Sequence, residues 1–364
     1  MKTLSRLFAG TRRPALSGSV VTALLSAALM SCSACASAHA ARHDPFDTVQ
    51  HTVVGAFPAP PKGPGSGRLD AWKIGMPAAR VARFGAPDTR AGNSFYVGYD
   101  AFHHRIYVPT EAGVTKILDA RTLKPVGQFD SLKNARVARI TPDGYLLLEL
   151  SAHRLVGYLT ADDQPLFQVP VGGNALAITT DDQHVFVGGN ADKHVTEVAL
   201  PSGRVVHRYP IAHSGDLAWA NGQLFSADMR SGVVSALNPQ SGHIKRIHTP
   251  EVDPDFSYHN IAAAKAGFMQ LAADPRHDRL YAAGFSGHVL DFSTARDRYL
   301  GEVPVKLKPG GPDKLSGLAV VDRGREAVVT AENRKETALI RLSNGKILRA
   351  LPHTASNRWV LMRS

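Results

Sequence analysis

A short apolar strand that follows a polar turn returns about every 40 residues, and this repeat constrains the fold more than any other feature of the chain. The third residues of these strands, which we call the anchors, are spaced 40, 39, 39, 56 and 47 positions apart. The anchors are Tyr107, Leu147, Phe186, Phe225, Tyr281 and Val328. The chain after residue 40 has no long apolar pattern of helical period. The repeat therefore predicts an all-β chain built from one recurring unit.

Each anchor strand is followed by a second hairpin, so that one unit holds four antiparallel strands. The hairpin turns include Ser202-Gly203, Ser241-Gly242 and Asn344-Gly345, which suit tight turns because glycine tolerates positive φ. Four antiparallel strands make one blade of a β-propeller. We predict a single propeller of seven four-stranded blades, with six or eight as the alternatives. Six blades correspond to residues 93–132, 133–172, 173–213, 214–250, 266–305 and 314–352.

The seventh blade would be assembled from both chain ends, which removes free sheet edges. Residues 68–92 would supply some of its strands, near Asp70–Ile74, and Asn357–Met362 would supply another. We therefore expect a propeller domain over 68–364, preceded by a flexible tether over 41–67. The tether prediction depends on the segment GAFPAPPKGPGSG at 55–67, which is rich in proline and glycine.

The repeat also resembles a known family. The segments HVFVGG at 184–189, VTEV at 195–198 and SGRVV at 202–206 resemble the YVTN propeller repeats of the quinoprotein amine dehydrogenase-like superfamily. The resemblance covers about residues 93–351 and implies the propeller fold. It implies no single activity, because the family includes binding proteins, dehydrogenase subunits and lactonases.

Residues 1–40 have the three parts of a secretory signal. Basic residues come first, an apolar run extends from Val20 to Met30, and small residues end at Ala38-His39-Ala40. The run is too short to span a bilayer as a helix. We expect export to a periplasmic compartment with cleavage after Ala40. A lipoprotein box that lipidates Cys32 and a twin-arginine route at Arg12-Arg13 are the alternatives.

The only two cysteines are Cys32 and Cys35, and cleavage after Ala40 removes both. The sequence contains no C-x-x-C-H site for covalent haem, and no other cofactor can be assigned from it. The net charge is +11, but the basic residues are scattered, and we see no helical motif that reads nucleic acid. We expect a monomer that touches a membrane only through a lipid at Cys32.

The first candidate site is the channel of the propeller. The innermost strand of each blade lines this channel, and the residue that starts the strand faces its mouth. A polar ring that could bind a ligand is predicted from Asn93, Arg136, Asn174, Asp216, Gln270 and Ser316. The competing interpretation is a ring that holds ordered water.

The second candidate site is the interval between Phe225 and Tyr281, which exceeds the period by about 16 residues. Long insertions often carry function. The surplus, at 249–265, places Tyr258, His259 and Asn260 as ligand-binding candidates. The same segment contains Glu251, Asp253 and Asp255, whose carboxylates could bind a metal. The competing interpretation is a solvated loop.

The sequence contains no G-x-S-x-G elbow and no H-E-x-x-H motif. We therefore expect a non-catalytic propeller that binds a small molecule or a partner protein through one face. The alternative is a propeller enzyme, either a lactonase-like hydrolase or lyase or a subunit of a quinone-dependent dehydrogenase. Such an enzyme would use the channel mouth and the insertion.

Overall fold

The computed structural model describes residues 96–110, 112–257, 263–310, 313–352, 356 and 358–362, and the backbone of three earlier strands. These earlier strands are β1 (His51–Phe57), β2 (Arg68–Ile74) and β3 (Ala79–Gly85). The compact unit to which they belong spans Thr48–Ser364. No helix among the described residues is long and apolar enough to cross a membrane.

Six blades follow, each made of four successive antiparallel strands. Blade 1 contains β4 (Gly98–Asp100), β5 (Arg105–Pro109), β6 (Val114–Asp119) and β7 (Pro125–Asp130). Blade 2 contains β8 (Val137–Ile140), β9 (Leu146–Leu150), β10 (Leu155–Leu159) and β11 (Pro165–Val169). Blade 3 contains β12 (Ala175–Ile178), β13 (His184–Gly188), β14 (Val195–Ala199) and β15 (Arg204–Tyr209).

The next three blades repeat the arrangement. Blade 4 contains β16 (Ser214–Ala220), β17 (Gln223–Asp228), β18 (Val233–Asn238) and β19 (His243–His248). Blade 5 contains β20 (Phe268–Asp274), β21 (Arg279–Gly284), β22 (His288–Ser293) and β23 (Arg298–Pro304). Blade 6 contains β24 (Leu315–Val321), β25 (Glu326–Ala331), β26 (Glu336–Arg341) and β27 (Ile347–Ala350). Short 3₁₀ turns at Pro275–His277 and Asp322–Gly324 join the first two strands of blades 5 and 6.

The predicted count of seven blades is wrong. Blades made of four strands that follow one another along the chain number six, not seven. The last strand, β28 (Trp359–Met362), pairs with β1 in a composite sheet of the order β28-β1-β2-β3. This sheet takes its N-terminal strands from 51–85 rather than 68–92, so β1 lies in the stretch expected to be a tether. The alternating pattern of HTVVGAF was obscured by the proline-rich segment that follows it.

The anchors of the sequence repeat lie in the second strand of each blade, and all six are buried. Their strands are covered on both faces because neighbouring blades pack against each other. Leu148 of β9 and Val185 of β13, for example, belong to one apolar cluster between blades 2 and 3. The fourth strands are mostly exposed, and in β23 exposed and half-buried residues alternate. The repeat of β-strands that the sequence predicts is therefore confirmed.

The strand β28 closes the apolar packing at the chain terminus. Trp359 joins the cluster of blade 6, whereas Met362 joins the cluster of blade 1. The predicted tight turns also form, since Gly203 and Gly242 have φ of 71° and 69°. A Cβ at Gly242 would meet nothing within 4 Å, so the backbone angle alone selects glycine there.

Candidate functional site

The first strands of successive blades contact each other and are the innermost strands, so they line the channel. In a four-stranded antiparallel blade, the turn between strands two and three lies at the same end as the connection to the next blade. We call this end of the molecule the loop face. The described residues of the predicted ring and of the insertion belong to it, as does the groove described below.

Two residues of the predicted ring form bridges between blades. Asp216 of blade 4 accepts a hydrogen bond from the backbone N–H of Leu271 in blade 5, at 2.8 Å. Gln270 of blade 5 accepts from the N–H groups of Leu318 in blade 6 (2.8 Å) and Trp359 in the composite sheet (2.9 Å). Its side-chain amide also donates to the carbonyl of Trp359, at 2.8 Å. Both side chains are buried, and these contacts give them a structural role.

Tyr96 connects blade 1 to blade 4. Its hydroxyl donates to Oδ2 of Asp216 at 2.7 Å, and only 2% of the residue is exposed. Its backbone also bonds blade 2, through the carbonyl of Arg136 and the N–H of Ala138. Burial and the neighbouring Asp216 carboxylate raise the pKa of Tyr96, so it stays a neutral donor. Tyr96 was not predicted, because no sequence signal relates it to a residue 120 positions away.

Two arginines complete this cluster. The guanidinium of Arg139 lies 3.8 Å from the centroid of the Tyr96 ring, and that of Arg358 lies 5.5 Å from it. Burial raises the pKa of Asp216, and both arginines oppose the rise. The cluster is a buried cation–π and hydrogen-bond network that joins the blades around the channel.

The other ring residues have different surroundings. Asn174 donates to the carbonyl of Gly215 at 3.4 Å and accepts from the N–H of Asn190 at 3.0 Å. Ser316 is fully buried, and its hydroxyl has no partner among the described residues. Arg136 is half-buried and lines the groove described below. Asn93 lies outside the described residues. The ligand-binding role of the ring stays a prediction.

In the insertion, two carboxylates that were considered as metal ligands accept hydrogen bonds from the protein itself. Glu251 is 1% exposed and accepts from the N–H groups of Gly267 (3.0 Å) and Ser286 (2.9 Å) and from the Ser286 hydroxyl (2.5 Å). Burial raises the pKa of Glu251, and these donors oppose the rise. Asp253 is also buried and accepts from the N–H of Lys265 at 2.7 Å.

These contacts fasten the start of the insertion to its end and to blade 5. Asp255 is exposed, while Tyr258, His259 and Asn260 lie outside the described residues. Within the part of the chain that the structure describes, no group of three or more His, Cys, Asp or Glu could hold a metal ion. The insertion therefore has a structural account for Glu251 and Asp253, and its binding role stays a prediction.

The loop face carries an open groove where the connection from blade 1 meets blade 2. Its volume is about 740 Å³. It is lined by Asp130, Ser131, Leu132, Lys133, Asn134, Arg136, Ser151, Ala152, His153, Arg154, Val156, Tyr158, Pro165 and Gln168. The lining thus contains three permanent cations and one histidine against a single carboxylate. A volume of this size falls in the range of small-molecule sites, about 300–1,000 Å³.

The cations of the groove are positioned by hydrogen-bonded backbone and have no acidic partner among the described residues. None of Lys133, Arg136 and Arg154 makes an ion pair with a carboxylate of the described residues. The N–H of Arg136 bonds the carbonyl of Leu150 at 2.8 Å. The Ser151 hydroxyl accepts from the N–H of Arg154 at 3.1 Å, which closes the turn that carries this arginine. The groove is therefore a concave surface with an excess of basic side chains.

A buried acid lies behind the groove. Glu149 of β9 accepts hydrogen bonds from the Thr115 hydroxyl and from the N–H of Leu132, which is part of the groove lining. Burial raises the pKa of Glu149 to about 7, and the hydrogen bonds oppose the rise. Burial and the Glu149 charge also raise the pKa of Tyr158. Tyr158 is therefore a neutral part of the groove.

Sequence reasoning found one of the three permanent cations, Arg136. Lys133 and Arg154 were missed because they belong to short loops with no motif. The two residues share only their positions in the repeat. Lys133 follows the last strand of blade 1, and Arg154 lies in the turn between the second and third strands of blade 2. Only the propeller topology places these two loops beside each other.

Comparison with known proteins supports the β-propeller fold alone. No protein-family model matches the chain, and no curated protein sequence matches it. Solved structures do match, among them Kuenenia stuttgartiensis hydrazine synthase, with a TM-score of 0.60, 11% identity and coverage of 75% of this chain and 96% of that one. U3-55K matches with a TM-score of 0.59 and 11% identity, over 73% of this chain and 84% of that chain.

The WD40 repeats of RRP9 are a third match, with a TM-score of 0.59 and 11% identity, over 73% of this chain and 83% of that chain. At this identity the likeness shows a shared β-propeller fold and no shared activity.

Proposed function

We propose that this chain is an exported β-propeller that binds an anionic ligand at its loop face, without catalysing a reaction. The observation that carries the proposal is the groove beside Arg136, which gathers four basic side chains and one acidic one in about 740 Å³. Unpaired guanidinium groups favour carboxylates and phosphates because they donate two parallel hydrogen bonds. The bridging contacts of Asp216 and Gln270 support placing the ligand in the groove rather than in the channel.

The proposal extends to family and compartment. We assign the repeat to the YVTN type within the quinoprotein amine dehydrogenase-like superfamily, supported by the segments at 184–189, 195–198 and 202–206. Export is supported by the tripartite signal at 1–40. Mass spectrometry of the mature N-terminus tests it. A free N-terminal Ala41 is expected. A lipidated Cys32 as the N-terminus would show a membrane-anchored lipoprotein instead of cleavage after Ala40, and an intact Met1 would refute export.

The binding proposal is tested by thermal shift with the mature protein and a panel of organic and inorganic anions. The groove variant is Lys133→Ala/Arg136→Ala/Arg154→Ala. We expect at least one anion to raise the Tm of the wild type, and this rise to fall by more than half in the groove variant.

A matched control removes the same charge from exposed turns at the opposite end of the blades. This variant is Lys124→Ala/Arg204→Ala/Lys346→Ala. It should keep the full response to the anion. The proposal is refuted if no anion raises the Tm of the wild type, or if the groove and control variants respond alike.

A further inference from the structure

We infer that the groove takes an amphiphilic organic anion, with its acidic head held by the arginines and its apolar or aromatic body on the floor. This inference depends on the proposed function, since it specifies the ligand of the same groove. It follows from the lining, which combines buried, half-buried and exposed apolar side chains with basic ones.

The floor of the groove is apolar. Val156 and Tyr158 of β10 line the groove, yet only 4% and 5% of these residues are exposed. They are the most buried apolar side chains of the lining. Leu132 is half-buried, and Ala152 and Pro165 add exposed apolar lining. A ligand that covered Leu132, Ala152 and Pro165 would remove apolar surface from water, which contributes roughly 25 cal/mol for each Å².

The rim of the groove is cationic. Lys133, His153 and Arg154 are exposed, and Arg136 is half-buried. Asp130 is the one acidic lining residue and is also exposed. A ligand lying on the floor would therefore extend its acidic group towards basic side chains. The rim alone would suit any anion, but the floor adds selection for an apolar body.

The dimensions distinguish this ligand from simpler ones. A free phosphate or acetate would occupy a small part of 740 Å³ and leave the floor uncovered. A neutral apolar molecule would leave the cations without partners. An acidic peptide would satisfy the rim but, unless it carried an apolar side chain, would not use the floor. An amphiphile with one acidic head matches both kinds of lining.

The experiment measures binding of a matched probe series to the mature protein by titration calorimetry. The probes are 4-phenylbutyrate, its neutral amide 4-phenylbutyramide, acetate, inorganic phosphate and N-acetyl-tetraglutamate. We expect 4-phenylbutyrate to bind at least tenfold more tightly than each other probe. The amide lacks the charge, and the three remaining probes lack the apolar body.

Single variants test the basic and the apolar lining separately. Arg136→Ala and Arg154→Ala should each weaken 4-phenylbutyrate binding about fivefold or more, and Leu132→Ser should weaken it without creating affinity for acetate. Arg204→Ala is the control at an exposed site outside the groove and should bind as the wild type does.

Failure of this inference can be told from failure of the proposed function. If acetate or phosphate binds as tightly as 4-phenylbutyrate and loses affinity in Arg136→Ala, the groove is an anion site and the amphiphile inference is overturned. Tighter binding of N-acetyl-tetraglutamate overturns it in favour of an acidic peptide. If no probe binds at concentrations up to about 10 mM, on the order of the weakest useful affinity, the proposed function is refuted. It is also refuted if the probes bind the groove variants as tightly as the wild type.

Discussion

The substitution Gln270→Ala tests whether the predicted ring residues hold the blades together. Gln270 is 4% exposed, and its amide serves three backbone groups, the N–H of Leu318 and the N–H and C=O of Trp359. Alanine would leave all three without their partner inside the protein. Each buried polar group left unsatisfied costs about 1–3 kcal/mol, and the small cavity adds to this.

These costs are not additive, because water can enter the space and serve more than one group. We therefore expect Gln270→Ala to lower the free energy of unfolding by about 3–5 kcal/mol, a large share of the 5–15 kcal/mol of an ordinary domain. Urea unfolding of the mature chain, followed by tryptophan fluorescence, measures the change. Trp359 is itself bonded by Gln270, so its fluorescence reports on this contact.

The control is Gln164→Ala, at an exposed glutamine whose amide reaches only the carbonyl of Asp162, at 3.5 Å. It should change the free energy of unfolding by less than about 0.5 kcal/mol. A loss below about 1 kcal/mol in Gln270→Ala would refute the bridging role. The ring would then be free to serve a ligand, as the sequence suggested.

Three further outcomes are expected. Because burial raises the pKa of Glu149 from 4.5 to about 7, the folded chain holds a proton that the unfolded chain releases. Protonated Glu149 therefore contributes its full stabilisation below about pH 4.5, and this contribution is lost as the pH rises through about 7. Glu149→Gln should remove up to about 3 kcal/mol of this pH dependence of the free energy of unfolding, measured by urea unfolding between pH 4.5 and 8. Glu251→Ala should lower the free energy of unfolding by about 2–4 kcal/mol and increase amide hydrogen exchange at Ser286 and Gly267. Unchanged exchange at these two amides would contradict the role of Glu251 in fastening the insertion to blade 5. Tyr96→Phe should lower the free energy of unfolding by about 1–3 kcal/mol because it removes one of the two hydrogen-bond donors to the buried Asp216, the other being the N–H of Leu271. An unchanged free energy of unfolding would contradict the link between blades 1 and 4.

The repeating part of the fold could be predicted because it depends on local chemistry. Alternating apolar residues and Ser-Gly or Asn-Gly turns act over a few positions, and the anchors Tyr107 and Phe225 lie in strands, as the repeat predicts. The composite sheet was located less well, because it joins β1 and β28 across the whole chain. Which N-terminal strands pair with β28 depends on tertiary packing rather than on local propensity.

The candidate site shows the same division between local and distant information. Arg136 was chosen from its position at the start of an inner strand, and it does line a groove. The sequence could not show that Asp216 would be used by Tyr96 and Leu271, since both partners are far away along the chain. Likewise Glu251 suggested a solvent-facing acid, but its donors include Ser286, 35 positions later, and they place it in the interior.

A crystal structure of the mature protein with 4-(4-bromophenyl)butyrate tests the central claim most directly, because bromine is located by its anomalous scattering. The account predicts bromine on the floor of the groove, against Val156 and Tyr158, with the carboxylate at Arg136 or Arg154. Bromine at the channel mouth beside Ser316, or at the 249–265 insertion, would contradict the account. So would a fully occupied probe whose carboxylate faces solvent away from both arginines.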